Sequence, residues 1–274
     1  MTTENIIQNT DKLLNESKQI LNISPPITEL DPTPFYAQTP NGPCTQTHNG
    51  PCTQTNKGPC TIGAIGAIGG KTIIFDCGAN DGSSWIPRAE KDPNAIIYAF
   101  EPAPTMIKVL QEKTKDLTNY HIIPKALSHT KGKAKFHLAE QADHGCSSLK
   151  EFNENLDKTW PQRSDFKVTK TIEVDVTTLK DFIEEEKIPC IHYLHIDVQG
   201  SDLDVLKGLG DKINIVNAGV VEVARDENVA LYKNQHTMKE TIDFLQQTGK
   251  FRVFDSVQND CYQNEFNVYF DRNY

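Results

Sequence analysis

Residues 73–82 read IIFDCGANDG: an apolar run ends in an acid, Asp76, and turns through a loop with glycines at 78 and 82. Dinucleotide-binding proteins use a similar turn, G-x-G-x-x-G, whose middle glycine lets a pyrophosphate approach the backbone. Here Asn80 stands where that glycine is needed, and Asp81 adds a negative charge beside it. A pyrophosphate would meet a side chain and a carboxylate, which disfavours a nicotinamide-dependent oxidoreductase. A ligand with an ammonium group and no phosphate is not repelled. The next apolar run ends in Phe100-Glu101-Pro102, with Glu101 19 residues beyond Gly82. A carboxylate at that strand tip accepts hydrogen bonds from the two hydroxyls of a ribose and rejects a 2′-phosphate. Ribose and ammonium without pyrophosphate describe S-adenosylmethionine.

A second set of residues could act on a methyl acceptor. In IHYLHID (191–197), strand alternation puts His195 and Asp197 on one side and His192 on the other. An adjacent imidazole and carboxylate could take a proton from an alcohol, with Asp197 fixing the tautomer of His195. Equally, Asp197 could cap a helix that begins near Gly200. Glu222 ends a later strand and is expected to line the acceptor cleft. Asp143, His144, Ser147 and Ser148 lie in a stretch without core pattern, suited to a lid or to acceptor contacts. A metal mechanism would require Asp197, Glu222 and Asp226 to converge; their spacing does not favour it, and no metal is expected.

These groups need a scaffold, and the pattern from Lys71 onward supplies one. KTIIFD, AIIYAF, YHII, TIEVDV and IHYLHID read as strands, and INIVNAGVVEV (213–223) as a long strand region. SWIPRAEK, PTMIKVLQEKT, TLKDFIEEE, DLDVLKGLG and HTMKETIDFLQQTG read as helices between them. KAKFHL (133–138), after the Lys131-Gly132 turn, reads as a hairpin arm, and FRVFDS pairs with EFNVYF to close the sheet. The fold expected is α/β and Rossmann-like: a mostly parallel central sheet, helices on both faces, an antiparallel closing strand, and a ligand at the carboxyl ends of the strands.

From about Ile73 to Phe270 the chain resembles the FkbM-type methyltransferases, a branch of the Rossmann-like S-adenosylmethionine enzymes. The resemblance rests on ordered motifs: FDCGANDG, YAFEPAP, KALS at 125–128, GCSSL at 145–149, VDVTTLKDF at 174–182, LHIDVQGSDLDVLKG at 194–208 and the terminal NVYF. It implies methyl transfer, commonly to a hydroxyl of a sugar, glycan or polyketide-type product. The cofactor-binding set then reads Asp76, Gly78, Ala79, Asn80 and Gly82 in the first loop, Glu101 and Pro102 at the second strand end, and Ala126 and Leu127 after the third. The catalytic set reads Asp197, His195 and Glu222. One position departs from the family, which usually carries lysine where this chain has His195. A catalytically silent scaffold is the competing reading, against which Asp76, Gly78, Gly82, Glu101 and Asp197 together speak.

The first 70 residues lie outside this pattern. Of the chain's 12 Phe, 8 Tyr and 2 Trp, only Phe35 and Tyr36 precede residue 71, so residues 71–274 are expected to form the domain. Ile6/Ile7, Leu13/Leu14 and Ile20/Leu21 recur at a spacing of seven, as in a short helix that rests on the domain or on a neighbouring copy. An octapeptide repeat follows: NGPCTQTH, NGPCTQTN and KGPCTIGA, at 41–64. Its cysteines, Cys44, Cys52 and Cys60, lack the close ligand pairs of zinc sites, and the composition suits a linker. A net charge of −9 argues against a nucleic-acid partner. The start, MTTENIIQNT, lacks the pattern of a signal peptide, and no apolar window is long enough for a membrane span. An odd total of seven cysteines, those outside the repeat scattered, points to reduced thiols in a cytoplasmic or similar reducing compartment.

Overall fold

The computed structural model describes residues 70–140, 144–154 and 156–272. The N-terminal helix, the repeat and Asp143 lie outside the described residues. The central sheet has seven strands in the order β3-β2-β1-β7-β8-β10-β9. Its members are β1 (Thr72–Cys77), β2 (Ala95–Phe100), β3 (Tyr120–Ile123), β7 (Ile191–Ile196), β8 (Val216–Ala224), β9 (Arg252–Gln258) and β10 (Glu265–Asp271). The first five are parallel, and β10 runs antiparallel to both β8 and β9. The chain winds outward from β1 to β3, then returns to place β7 against the other side of β1. The order therefore reverses between β1 and β7, where an open α/β sheet leaves a crevice at its carboxyl edge.

The residues of β1 explain why it lies at the centre. All but its first are buried, as a strand covered on both faces requires. Ile73, Phe75 and Cys77 face one core with Phe182 and Ile183 of α4 (Leu179–Glu185), Leu203 and Leu206 of α5 (Asp202–Lys207), and Ile242 and Leu245 of α6 (Met238–Gln247). Ile74 faces a second core with Ile86 and Ala89 of α1 (Ile86–Lys91) and Leu110 of α2 (Pro104–Lys113). In α6 the buried residues Met238, Thr241, Ile242 and Leu245 fall on one helical stripe, and Thr237 with Glu240 forms a capping box at its start.

Two segments differ from their sequence pattern. Residues 133–138 belong to β5 (Gly132–Leu138), which pairs antiparallel with the distant β6 (Lys170–Thr177) rather than with a neighbour in sequence. With β4 (Ala126–Leu127) they make a separate three-stranded sheet, order β4-β6-β5. The cause is a match of apolar faces: Phe136 and Leu138 meet Val174 and Val176, and together they cover Ala103 and Met106 at the start of α2. The expected strand region 213–223 begins instead with a 3-10 helix, Gly210–Ile215, and β8 starts only at Val216. Gly210 takes a positive φ of 52°, which lets the chain turn out of α5 before entering the sheet.

Phe182 ties α4 to the sheet through edge-on contacts with Phe75, Tyr98 and Phe100, at centroid distances of 5.7, 5.5 and 4.9 Å. Phe182→Ala should therefore cost about 3–5 kcal/mol of unfolding free energy, read as a lower denaturant midpoint at unchanged slope. A loss below about 1 kcal/mol would show that the sheet does not depend on this cluster.

Candidate active site

The loop after β1 is shaped by close contact. Gly78 has φ of 90°, and a Cβ there would lie 1.8 Å from the main-chain oxygen of Asp197. Across the same junction the Asp197 N–H donates to the Cys77 carbonyl at 2.9 Å. Gly82, with φ of 77°, is pressed against Ile86 and Leu110. Asn80 adopts a left-handed φ of 47°, which asparagine tolerates better than most residues. The N–H groups of Gly78 and Ala79 both donate to the Phe100 carbonyl at 3.0 Å, and that of Asn80 donates to Glu101 Oε2 at 2.8 Å. The donors a pyrophosphate would need are thus already engaged. Asp81, expected to add charge inside the loop, instead pairs with Lys113 at 2.7 Å at a half-exposed position away from the cavity.

Glu101 is buried at the tip of β2 and also accepts from the Ala103 N–H at 2.7 Å. Burial pushes its carboxyl up to about 7, against the pull of its two backbone donors and with a further push from Asp76. Each oxygen retains a lone pair, and Glu101 lines a cavity that opens to solvent. Gly78, Asn80, Pro102, Ala126 and Leu127 line the same cavity, together with His144, Ser147, Asp197 and Gln199. Ala79 and Gly82 shape the loop from behind.

His195 is not in this lining, and its partner is not Asp197. Its Nδ1 sits 2.8 Å from Asp76 Oδ1, because β1 and β7 pair Asp76 directly with His195. β7 ends at Ile196, so Asp197 has left the pleat that would have carried it beside the imidazole. Burial pulls the His195 pKa down, but the bond to Asp76 and the charges of Asp76, Asp197 and Asp202 outweigh it and hold the imidazole above its ordinary value. Asp76 Oδ2 is buried without a hydrogen-bond partner. Asp197 does not cap α5, whose start at Ser201 has no side-chain cap bond; Asp202 instead ties down the loop before it, accepting from the N–H groups of Val198 at 2.8 Å and Gly200 at 2.9 Å. Burial and the Asp197 charge lift Asp202 to about 7.

Glu222, expected in the acceptor cleft, is buried behind the cavity wall, where it accepts from Gln199 at 2.9 Å and from Asn259. Burial, then Asp197, Glu265 and Asp202, raise its carboxyl well above the ordinary range. Ser148 is also buried, its hydroxyl donating to the Gln199 carbonyl at 2.6 Å, and Ser147 Oγ accepts from the Ala139 N–H at 3.1 Å. Asp226 turns away to pair with Arg225 at 2.9 Å. Among the described residues no group of three or more His, Cys, Asp or Glu side chains is placed to hold a metal. The sequence reading did not single out Gln199, although it lies within the LHIDVQGSDLDVLKG motif, two residues after Asp197.

The donor set fits S-adenosylmethionine. Its positive centres suit a crevice lined by the Glu101 carboxyl, its ribose suits the remaining lone pairs of that carboxyl, and the apolar wall of Pro102, Ala126 and Leu127 suits an adenine. A family model described as the methyltransferase FkbM domain matches residues 76–252. The chain belongs to the FkbM methyltransferase family. It is a methyltransferase, and its methyl donor is S-adenosylmethionine. Two curated relatives are similar to this FkbM protein. The 2-O-methyltransferase NoeI of Sinorhizobium fredii is 25% identical over 178 residues, covering 63% of this chain and 70% of its own. Methyltransferase 1 of Beauveria bassiana is 26% identical over 164 residues, 56% of this chain and 64% of that protein. The solved precorrin-6y C5,15-methyltransferase of Geobacter metallireducens covers 74% of this chain and 81% of its own at 10% identity, with a TM-score of 0.40, too distant to inform the site.

Two outcomes are expected of these groups. A ligand that donates ribose hydroxyls to Glu101 favours the ionised carboxyl, so calorimetry with S-adenosylhomocysteine near pH 7 should show proton release on binding. Glu101→Gln should abolish that release, and Glu101→Ala should weaken binding by about 1.5–3 kcal/mol; unchanged affinity and proton release would remove Glu101 from the ribose site. For His195 the folded pKa lies above the unfolded value of about 6.5. Its contribution to stability is then complete below that value and lost as pH rises through the folded pKa. The melting-temperature gap between the native protein and His195→Gln should be wider at pH ~6 than at pH ~9; a gap that does not change with pH would contradict the charged pair with Asp76.

Proposed function

We propose that this FkbM methyltransferase transfers the methyl group to a hydroxyl of a sugar, glycan or related small-molecule acceptor. The observation that carries this reading is the composition of the cavity wall beyond the cofactor side: Asp197, Gln199, His144 and Ser147 present hydrogen-bonding groups. Such a wall suits a hydroxylated acceptor, whose O–H donates to the Asp197 carboxylate and whose neighbouring oxygens accept from the Ser147 hydroxyl or an imidazole N–H of His144. The name of the Sinorhizobium relative, a 2-O-methyltransferase, agrees with an oxygen acceptor.

The bound cofactor supplies an electrophilic methyl group on sulfonium sulfur, so the protein's task is alignment and removal of one proton. Asp197, at the cavity surface beside the glycine loop, accepts the hydrogen bond of the incoming hydroxyl and takes up its proton as the new carbon–oxygen bond forms. Glu222, behind it and raised by burial and by Asp197 above the ordinary carboxyl range, faces Gln199 and Asn259 rather than the acceptor. His195 serves Asp76 rather than the acceptor. Among the described residues, Cys77, Cys146, Cys190 and Cys261 form no disulfide. No described helix is long and apolar enough to cross a membrane.

The test is an acceptor screen: mono- and oligosaccharides and polyols are incubated with S-adenosylmethionine, and O-methyl product is sought by mass spectrometry. Asp197→Asn should lower turnover by roughly 10²–10⁴-fold, with S-adenosylhomocysteine affinity nearly unchanged. Methyl transfer to nitrogen or carbon acceptors alone, or full turnover in Asp197→Asn, would overturn the reading.

A further inference from the structure

We propose that Gln199 is a positioning residue for methyl transfer, holding Asp197 in its working orientation through a side-chain amide fixed on all sides. This rests on the role given to Asp197 above. Gln199 has a left-handed φ of 57°, a conformation that costs a non-glycine residue energy and persists where its surroundings enforce it. The enforcement is visible. Its Nε2 donates both protons, one to Asp197 Oδ1 at 2.6 Å and one to Glu222 Oε2 at 2.9 Å. Its Oε1 lies 2.8 Å from the Tyr232 hydroxyl, whose single proton is shared with the Cys146 carbonyl, also at 2.8 Å, and its main-chain carbonyl accepts from Ser148 Oγ at 2.6 Å. Turning the amide over would set its oxygen against two carboxyl groups, so the network allows one orientation.

The anchors of this amide are themselves fixed. Tyr232 is fully buried, and its ring fills the space where Gly200 would carry a Cβ, 2.8 Å away. It stacks on Phe152 at 5.2 Å, which stacks in turn on Phe166 at 5.6 Å. Glu222 is held from its other oxygen by Asn259. Of this assembly only Gln199 and Asp197 reach the cavity surface, so the amide transmits the rigidity of a buried aromatic stack to the one carboxylate that meets the acceptor. A glutamine is the side chain of this length that donates twice and accepts once. Methionine of similar size does neither, and glutamate donates only when protonated.

The experiment uses the full chain with Gln199→Met and Gln199→Glu, the acceptor found in the screen, and S-adenosylhomocysteine as binding probe. Turnover should fall about 100-fold in Gln199→Met, while calorimetric affinity for S-adenosylhomocysteine stays within about threefold. In Gln199→Glu, the neighbouring Asp197 and Glu222 keep the new carboxyl protonated to higher pH, so turnover relative to the native protein should recover about tenfold or more as pH is lowered from ~9 to ~6. A loss equal at every pH, or no loss, would overturn the proposal. A second measurement needs no acceptor: in nitrogen-15-labelled protein with S-adenosylhomocysteine bound, the Gln199 side-chain amide protons should shift in Asp197→Asn and in Glu222→Gln. Unmoved signals would refute the bridge. Shifted signals with no methylated acceptor would refute the reading of the reaction and leave the bridge standing.

Discussion

The site depends on one contact, where the backbone after β1 lies against the backbone after β7. Gly78 occupies a position in which a side chain would coincide with the Asp197 carbonyl. Everything that flanks the crevice is placed by that approach. It aligns Asp76 with His195 across the paired strands, brings Asp197 to the cavity, and leaves the next two N–H groups pointing at Phe100 and Glu101. A substitution at 78 would separate the two strand ends, and the halves of the site would part together.

Around this contact the protein gathers carboxyl groups that repel one another. Asp76, Glu101, Asp202, Glu222 and Glu265 are all buried, and burial raises Glu101 and Asp202 to about 7 and Glu265 to about 8. Such crowding opposes folding increasingly as pH rises from the ordinary carboxyl range of about 4 through those values, because the unfolded chain ionises more readily. The protein offsets it locally with backbone donors: two to Glu101, two to Asp202, three to Asp260. A cofactor with two positive centres offsets more of it. Cofactor binding and stability are therefore linked, and the protein should be most stable in the complex.

The central sheet was legible because its strands carry a clear signal. IIFDC, AIIYAF and IHYLHI are short apolar runs separated by amphipathic helices, which is the pattern that buried parallel strands require. The tips of β1 and β2 were legible for a related reason: a glycine at a strict turn and an acid at a strand end leave few alternatives. What could not be read was pairing over distance. Nothing local to residues 132–138 says that their partner lies at 170–177, because the match is between two half-apolar faces that meet only in three dimensions. The pairing of His195 was misjudged in the same way. Its neighbour in sequence, Asp197, was visible, whereas its neighbour in space, Asp76, is set by strand register. Gln199 stood inside a quoted motif, but its residue type alone implied no role until both of its amide protons were seen to be used.

The commitments of the β1 loop also bear on how such a protein can change over evolutionary time. Restoring glycine at position 80 would recover the dinucleotide spelling without recovering its function, since the N–H groups of residues 78–80 would still serve the end of β2. A lineage starting from this loop would have to rebuild Phe100 and Glu101 at the same time, and each step taken alone would lose the old ligand before gaining the new one. The loop is in this sense a ratchet: it holds the chain to its cofactor through hydrogen bonds that never touch the cofactor.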